Sequence, residues 1–450
     1  MVSEELADQN STLKAILLKL GILTRKDFLF GLTWFLTSLL FFYLTFGEIK
    51  PVTFTLSFIT LDLTLISYVI AYLSLYISLG WIFYLLAGFL FSLKHKPAKF
   101  KPFNPHMPMV SILIAARNEE NVIKNLLEDL KRQTYSNWEA IVVAHNCTDG
   151  TYEAAKSVKD DRIKVLEFNG PYGKPVALNY GVKHVKGDIV VVFDADARID
   201  SDFLEKLVPY FQKYDAVQAR ICASNSKLNI LTTLTDLEWV AFTDSVERSG
   251  SNLGIFALLG GTGQAVKYSA LKDVGFWDEK ILVEDYDLSL KLLEKRYKIG
   301  YASDVMVYDE KPVKWTSFFK QRARWLRGNY QVLRKYLPKL HRIPHVWHIL
   351  ISHLSIVLSY YGYFLVLLYL LGVTYRSFYI TFWMWLWIFN VALIGLRILR
   401  ERGLKYLIML PLIILFNYHW LVACWYIPKI KGWKESKTEH FGSSIPRVAH

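Results

Sequence analysis

Two carboxylates separated by one residue, Asp194-Ala195-Asp196, follow the apolar run Asp188 to Phe193 (DIVVVF). On an extended backbone, residues i and i+2 face one side. Asp194 and Asp196 can therefore hold a hard divalent cation, Mg2+ or Mn2+, through oxygen ligands. Such a cation would neutralise a departing diphosphate as a Lewis acid. Gly173-Lys174 adds a cationic donor for phosphate. A third group, Val283-Glu284-Asp285-Tyr286-Asp287-Leu288, opens an amphipathic pattern that runs through Leu292 and Leu293. Acidic side chains in a first helical turn suit the positive end of the helix dipole. A carboxylate there can also act as a general base toward a hydroxyl. From spacing alone, capping is the plainer reading. The fourth group, Gln321-Arg322-Ala323-Arg324-Trp325, lies in a basic, aromatic stretch that suits amphipathic helices on an acidic leaflet. That setting does not explain why Gln321, Arg324 and Trp325 stand together.

These residues need a scaffold. Met109 to Ala115, Trp138 to Ala144, Arg162 to Phe168 and Asp188 to Phe193 read as strands. Helical periodicity lies between them: Asn118 to Arg132, Thr148 to Val158 and Lys174 to Val185. Alternating strands and helices predict an α/β domain with a parallel sheet covered on both faces. Ligands of such sheets sit outside the strand carboxyl ends. The polar loops after the strands are therefore the places for chemistry. One holds Ala116-Arg117-Asn118-Glu119, and another holds His145 to Gly150, with Cys147 and Asp149. Cys147 carries no sign of activation and reads as packing.

The chain has 450 residues, 53% hydrophobic and 21% charged, with a net charge of +13. Disorder is excluded, because only chains of low hydrophobicity fail to bury a core. Three dispersed cysteines exclude a disulfide scaffold. Apolar residues crowd both ends. About 20 residues cross a hydrocarbon core of roughly 30 Å. Charge-free runs at Phe28 to Phe46, Leu63 to Leu93, between Arg342 and Arg376, at Ser377 to Leu396 and at Tyr406 to Pro428 are predicted spans. The first run follows a long, acidic leader and has no small-residue cleavage site, so it does not read as a secretory signal. Lysines and arginines before the first run and after the second place the middle of the chain in the cytoplasm. Arg397, Arg400, Arg402 and Lys405 do the same for the loop after the fourth. The basic tail (Lys429 to Lys437) and Pro411 and His419 point to a broken or re-entrant fifth run. The expected order is a cytoplasmic segment at 1–27, two spans in 28–93 and a catalytic domain at 94–313. Interface helices at 314–343, about three spans in 344–428 and a basic tail at 429–450 complete it. The basic residues flank the spans, so anionic lipid, not nucleic acid, is the expected partner. The plasma membrane is the expected location.

Asp149, Asp194-Ala195-Asp196, Glu284-Asp285 and Gln321 to Trp325, in that order between apolar runs, resemble the membrane-integrated processive family 2 glycosyltransferases. Cellulose, hyaluronan, poly-N-acetylglucosamine and mannan synthases have that form. The resemblance covers about Met109 to Gly328. It implies a GT-A-like α/β domain inserted between transmembrane helices in a multi-pass membrane protein. It also implies an inverting, metal-dependent hexosyltransferase using Mg2+ or Mn2+. Ala116, Arg117, Glu119, Asp149, Lys174 and Asp194 would lie at the nucleotide-sugar, Asp196 with Asp194 at the metal. Asp285, beside Glu284, would be the catalytic base. Gln321, Arg324 and Trp325 would cover the nucleotide, with Trp325 also at the acceptor sugar. Gly261, Thr262 and Gly263, within Gly260 to Gln264 (GGTGQ), would form the acceptor loop. Many relatives carry Asp where this chain has His145, and that Asp contacts the base. A UDP-sugar is favoured over a GDP-sugar as donor.

The implied reaction extends a β-linked polysaccharide by single displacement and moves it across the membrane. Tyr360, Tyr361 and Tyr363 are candidates to line its path, and Trp383, Trp385 and Trp387 read as lipid-facing. The alternative acceptor is a lipid, of ceramide or polyprenyl-phosphate type. A further alternative is an inactive scaffold or a transporter; the intact carboxylate set and the lack of an ATP-binding loop speak against both.

Overall fold

The four apolar runs of the central region form adjacent parallel strands in a computed structural model. It describes residues 53–56, 59–62, 79–80, 82–93, 107–343, 378–416 and 419–430. The strands are β1 (Val110–Ala116), β2 (Trp138–His145), β3 (Ile163–Phe168) and β4 (Ile189–Asp194). Four more follow: β5 (Arg198–Ile199), β6 (Ala216–Ala223), β7 (Gln264–Lys267) and β8 (Ile299–Asp309). Their order in the sheet is β3-β2-β1-β4-β7-β6-β8-β5. The parallel expectation holds for β1 to β4 and for β6 beside β8. It fails at β7, which runs antiparallel between β4 and β6, and at β5, which runs antiparallel to β8. The sheet is therefore mixed. Four residues with polar ends (QAVK) carry too little apolar pattern to reveal β7 in the sequence.

The helices that matter for the site are α1 (Ile123–Lys131), α2 (Thr151–Lys156), α3 (Lys174–Gly181), α4 (Ile230–Glu238), α5 (Asp244–Leu253), α6 (Glu284–Glu294) and α7 (Trp315–Tyr336). On α1, Ile123, Leu126, Leu127 and Leu130 are buried against β-strand residues such as Ile112, Ile114 and Val142. The helix begins after Asn118, because Asn118 adopts a left-handed conformation at φ 55° and bonds Thr148 with its side chain. A π-helical turn, Trp239–Thr243, separates α4 from α5.

The region expected to hold paired interface helices is one helix, α7, followed by a 3-10 turn at Leu337–Arg342. It buries Phe318, Arg322, Ala323, Gly328, Val332 and Tyr336 and exposes Trp315, Tyr330 and Leu333. A Cβ at Gly328 would sit 2.7 Å from Val283, so only glycine lets α7 approach the start of α6 this closely.

The chain divides into two units, Met1–Leu90 with Leu340–Leu404, and Phe91–Lys339 with Lys405–His450. In the first, Thr53–Leu56 and Ile59–Asp62 pair antiparallel, and the fourth apolar run lies in a helix, α8 (Phe378–Arg402). In the second, the fifth run is broken into α9 (Leu410–Phe416) and α10 (His419–Cys424), with Pro411 in the first turn of α9. Among the described residues no helix is long and apolar enough to cross a membrane. The first and third runs, most of the second, the 1–27 segment, the tail beyond Ile430, Tyr360, Tyr361, Tyr363 and the side chains of Trp383 and Trp387 lie outside the described residues. Trp385 is exposed.

Candidate active site

Strand β7 brings the Gly-rich loop to the paired carboxylates. Gln264 pairs with Val192, so the residues just before β7 lie beside the end of β4. Gly263 turns the chain at φ +68°, and its N–H donates to the Val192 carbonyl at 2.9 Å. The Thr262 hydroxyl accepts from the Asp194 N–H at 3.2 Å. Buried Gln218 fixes the loop from below: its amide donates to the Thr262 carbonyl at 2.9 Å and accepts from the Gly260 N–H at 2.7 Å. Of the three expected acceptor residues, Gly261 alone faces the charged cluster. Thr262 is buried and Gly263 makes the turn.

The cluster centres on Lys174, the first residue of α3. Its ammonium lies 2.5 Å from Asp194 Oδ1 and 3.4 Å from Glu284 Oε1, and it donates to the Gly261 carbonyl at 2.7 Å. A Cβ built on Gly261 would stand 3.4 Å from Lys174 Nζ and 3.6 Å from both Asp194 Oδ2 and Asp285 Oδ2. Three predicted residues from three elements thus surround one point. Burial pulls the Lys174 ammonium toward neutrality, but Asp194, Glu284 and Asp285 outweigh it and hold its pKa above the lysine norm. Burial pushes Glu284 up to about 7, against Lys174, with Asp285 adding to the rise. Asp285 is also raised, first by burial and further by Asp194. Lys174, the Tyr286 N–H and Arg324 oppose the rise. One Asp285 oxygen accepts that N–H at 2.8 Å. Ser289 donates to the Asp285 carbonyl at 2.8 Å and accepts from the Leu259 N–H at 2.8 Å, tying α6 to the Gly-rich loop.

Asp196 accepts from the Glu310 N–H at 3.2 Å. Beside it, buried Lys311 pairs with Asp309 at 2.7 Å. Burial raises the Asp309 pKa, with Lys311 opposing and the charges of Asp196 and Asp194 adding to the rise. A divalent cation would relieve this crowding of carboxylates. Among the described residues no group of three or more His, Cys, Asp or Glu side chains is placed to hold a metal by itself. Asp194 and Asp196 offer carboxylate oxygens, the donor chemistry that Mg2+ or Mn2+ takes along with phosphate oxygens and water.

Arg324 projects from α7, donates to the Leu282 carbonyl at 3.2 Å and lies within electrostatic reach of Glu284, Asp285 and Asp194. Burial lowers its pKa, and those three carboxylates oppose the fall. Trp325 is partly buried, edge-on to Trp239 with centroids 6.4 Å apart. Gln321, also partly buried, lies one turn earlier on the same helix.

The residues expected on the nucleotide side form a second cluster at the ends of β1 and β2. Asp149 accepts from the Thr151 N–H and hydroxyl and, at 3.3 Å, from the Glu120 N–H. The Glu119 N–H donates to Thr151 Oγ1 at 2.8 Å. Asp149 therefore braces the two loops against each other. Ala116 ends β1, and Arg117 lies 4.5 Å over the Tyr172 ring. His145 is buried and stacked on Phe168, and burial lowers its pKa. Its ring also meets the loops, with Nε2 3.0 Å from the Asn146 side-chain amide and a hydrogen bond to the Pro171 backbone. Cys147 donates weakly to the Ala116 carbonyl at 3.6 Å.

Residues 107–328 match the family described as "Glycosyltransferase like family 2". That stretch, just under half of the chain, is similar to family 2 glycosyltransferases. The β-monoglucosyldiacylglycerol synthase of Nostoc sp. is 35% identical over 239 residues, 51% of each chain. The chain thus spans about half the length of that curated relative. The poly-β-1,6-N-acetyl-D-glucosamine synthase of Staphylococcus epidermidis is 28% identical, over 68% of this chain and 77% of that protein. Among solved structures, a mannosyltransferase from Pyrobaculum calidifontis in complex with GDP-Man and Mn2+ superposes with a TM-score of 0.51. That match, 18% identical, covers 81% of this chain and 99% of that one. It supports a GT-A-like fold for the central domain.

Several residues of this site leave no readable signal in the sequence. Gln218 and Ser289 are polar residues inside apolar elements, a pattern that announces a buried partner without naming it. Asp309 and Lys311 stand at the end of β8, a strand outside the four expected from the apolar runs. Glu238 and Trp239 meet α7 only in three dimensions.

Proposed function

We propose that the chain transfers a sugar from a nucleotide-sugar to an acceptor hydroxyl, with inversion at the anomeric carbon. The convergence of Lys174, Asp194 and Asp285 on Gly261, with Arg324 in electrostatic reach, carries this reading. Asp285 takes the proton from the acceptor hydroxyl as its oxygen attacks the anomeric carbon. The bond to the diphosphate breaks and the electron pair leaves with it. Lys174 and Arg324 balance that charge, Arg324 through its fork of donors. Held by Asp194 and Asp196, Mg2+ or Mn2+ would add Lewis-acid stabilisation of the leaving group. Ala116, Arg117, Glu119 and Asp149 border the nucleoside, Gln321 lies at its cover, and Trp325 offers the acceptor a flat apolar face. An α-linked donor yields a β-linked product in one displacement.

The first reading of the acceptor is a growing β-linked polysaccharide, extended on the cytoplasmic side of the plasma membrane and passed outward between the apolar runs. The extent of the match to the poly-N-acetylglucosamine synthase supports it. A lipid acceptor is the second reading, supported by the higher identity to the glucolipid synthase. Purified protein with Mn2+ and a panel of UDP- and GDP-sugars tests both. A ladder of long product supports the synthase. One sugar on a lipid sinks it in favour of the second reading, and no diphosphate release from any donor sinks the proposal.

A further inference from the structure

Arg322 lies inside the Gln321–Trp325 motif, yet the reaction above gives it no part. It is buried, as is Glu238 at the end of α4, and the two form a close ion pair. The guanidinium stacks 4.3 Å over the Trp325 ring and reaches Trp420 on α10 at 5.2 Å. The same Glu238 carboxylate is 3.6 Å from His419 Nε2 at the start of α10. One residue on, at the start of the π-helical turn, Trp239 meets the edge of Trp325, and Lys311 lies 4.0 Å over the Trp239 ring. The pair therefore joins α4, α7 and α10 at the two indoles beside the Arg324 side of the cluster.

A buried ion pair is weak evidence for stability, since apolar side chains of similar volume often hold a fold as well or better. What such packing cannot do is fix a plane. A guanidinium is flat, pairs with a carboxylate through a rigid fork and stacks on an aromatic face at the same time; an ammonium cannot do all three. We propose that the Glu238–Arg322 pair is a positioning device that sets the Trp325 indole where it meets the acceptor. The proposal rests on the acceptor role given to Trp325 above. The pair touches neither donor nor acceptor. It acts through the ring.

The test compares Arg322→Lys, Glu238→Gln/Arg322→Met, Trp325→Phe and Arg322→Lys/Trp325→Phe with the wild-type full chain. Acceptor probes are dioleoylglycerol in micelles and a β-linked N-acetylglucosamine tetramer. Donor-site integrity is read from UDP and GDP affinity. Arg322→Lys is expected to raise the acceptor KM about tenfold, with nucleotide affinity within about twofold. On the Trp325→Phe background the same change should cost less than about twofold, because its effect runs through that ring. The double variant removes both charges, so it should fold and still bind nucleotide while losing the acceptor. In protein labelled with 5-fluorotryptophan, the 19F line assigned to Trp325 should shift and broaden in both Arg322 variants. Wild-type behaviour of Arg322→Lys would overturn the proposal, because charge balance alone would then suffice. An equal loss on both backgrounds, a parallel fall in nucleotide affinity, or an unmoved 19F line would also overturn it. A wild type that binds no nucleotide and uses neither probe counts against the glycosyltransfer reading instead, and the 19F line still decides the positioning.

Discussion

The ammonium of Lys174 lies 2.5 Å from Oδ1 of Asp194, so the first residue of α3 neutralises the first carboxylate of the Asp-x-Asp triplet. The same nitrogen holds the Gly261 carbonyl and faces Glu284. The Lys174 ammonium thus holds Asp194 and Glu284 around one small volume, with Arg324 also in electrostatic reach. In the proposed reaction, an entering diphosphate would compete with Asp194 for Lys174.

This geometry sets the pH dependence. Burial raises both Glu284, to about 7, and Asp285, and Lys174 opposes both rises. A general base must be unprotonated, so kcat/KM should rise with pH through an acidic limb displaced above the ordinary aspartate range. Lys174→Met removes the cation that favours the charged carboxylates. Its limb should move to higher pH, and its maximal rate should fall. A pH–rate profile of both proteins checks the sign.

Gly261 and Gly263 should respond differently to alanine. At Gly261 the new methyl meets Lys174, Asp194 and Asp285 at 3.4 to 3.6 Å, ordinary contact distances. The variant should melt like wild type but lose about a hundredfold in kcat/KM, because the methyl fills the reacting volume. At Gly263 the methyl would be 2.6 Å from Val307, on a backbone at φ +68°. That variant should lose at least about 1–3 kcal/mol of stability. Melting curves and turnover on the same preparations separate the two.

Much of this site is legible in the chain's residue order. Asp194 and Asp196 stand out because an apolar strand ends in two carboxylates at i and i+2. Lys174 stands out because a glycine precedes it where a helix can begin. The antiparallel direction of β7 is not legible, since four residues carry no direction. Without β7 the GGTG loop is merely a Gly-rich segment. With it, Thr262 is pinned to the Asp194 backbone. The nucleotide side is legible as a set of loops but not in its bonding. Asp149 looks like a ligand-facing acid, and its oxygens brace neighbouring backbone and hydroxyl groups. His145 looks like a loop residue, and it ends β2 with its ring stacked on Phe168. Pairings across long stretches of chain, such as Glu238 with Arg322, leave no periodic trace.

Divalent metal should be required. EDTA is expected to abolish transfer, and Mn2+ or Mg2+ to restore it. Asp196→Asn should raise the half-activating Mn2+ concentration about 10- to 100-fold. An activity indifferent to EDTA would remove the metal from Asp194 and Asp196.

A separate carboxyl offers a stability test away from the reaction. Burial pushes Glu247 on α5 up to about 8, opposed by its hydrogen bond from the Leu258 N–H. The folded state therefore holds a proton that the unfolded state releases near pH 4.5. Its contribution to stability is full below that pH and is lost as pH rises to about 8. Glu247→Gln keeps an acceptor for Leu258 without the proton. Its Tm relative to wild type should climb between pH 5 and pH 8, the window set by those two values.

Removal of the acceptor proton by Asp285, during transfer from a nucleotide-sugar, is the step on which the mechanism turns. It is tested by turnover of a labelled donor by wild type and by Asp285→Asn, with Mn2+ present and the product anomer read by NMR. A β-linked product from an α-linked donor is expected, with a loss of at least about 100-fold in kcat for the variant and UDP or GDP affinity little changed. A retained anomer, or an Asp285→Asn enzyme as fast as wild type, would contradict that role.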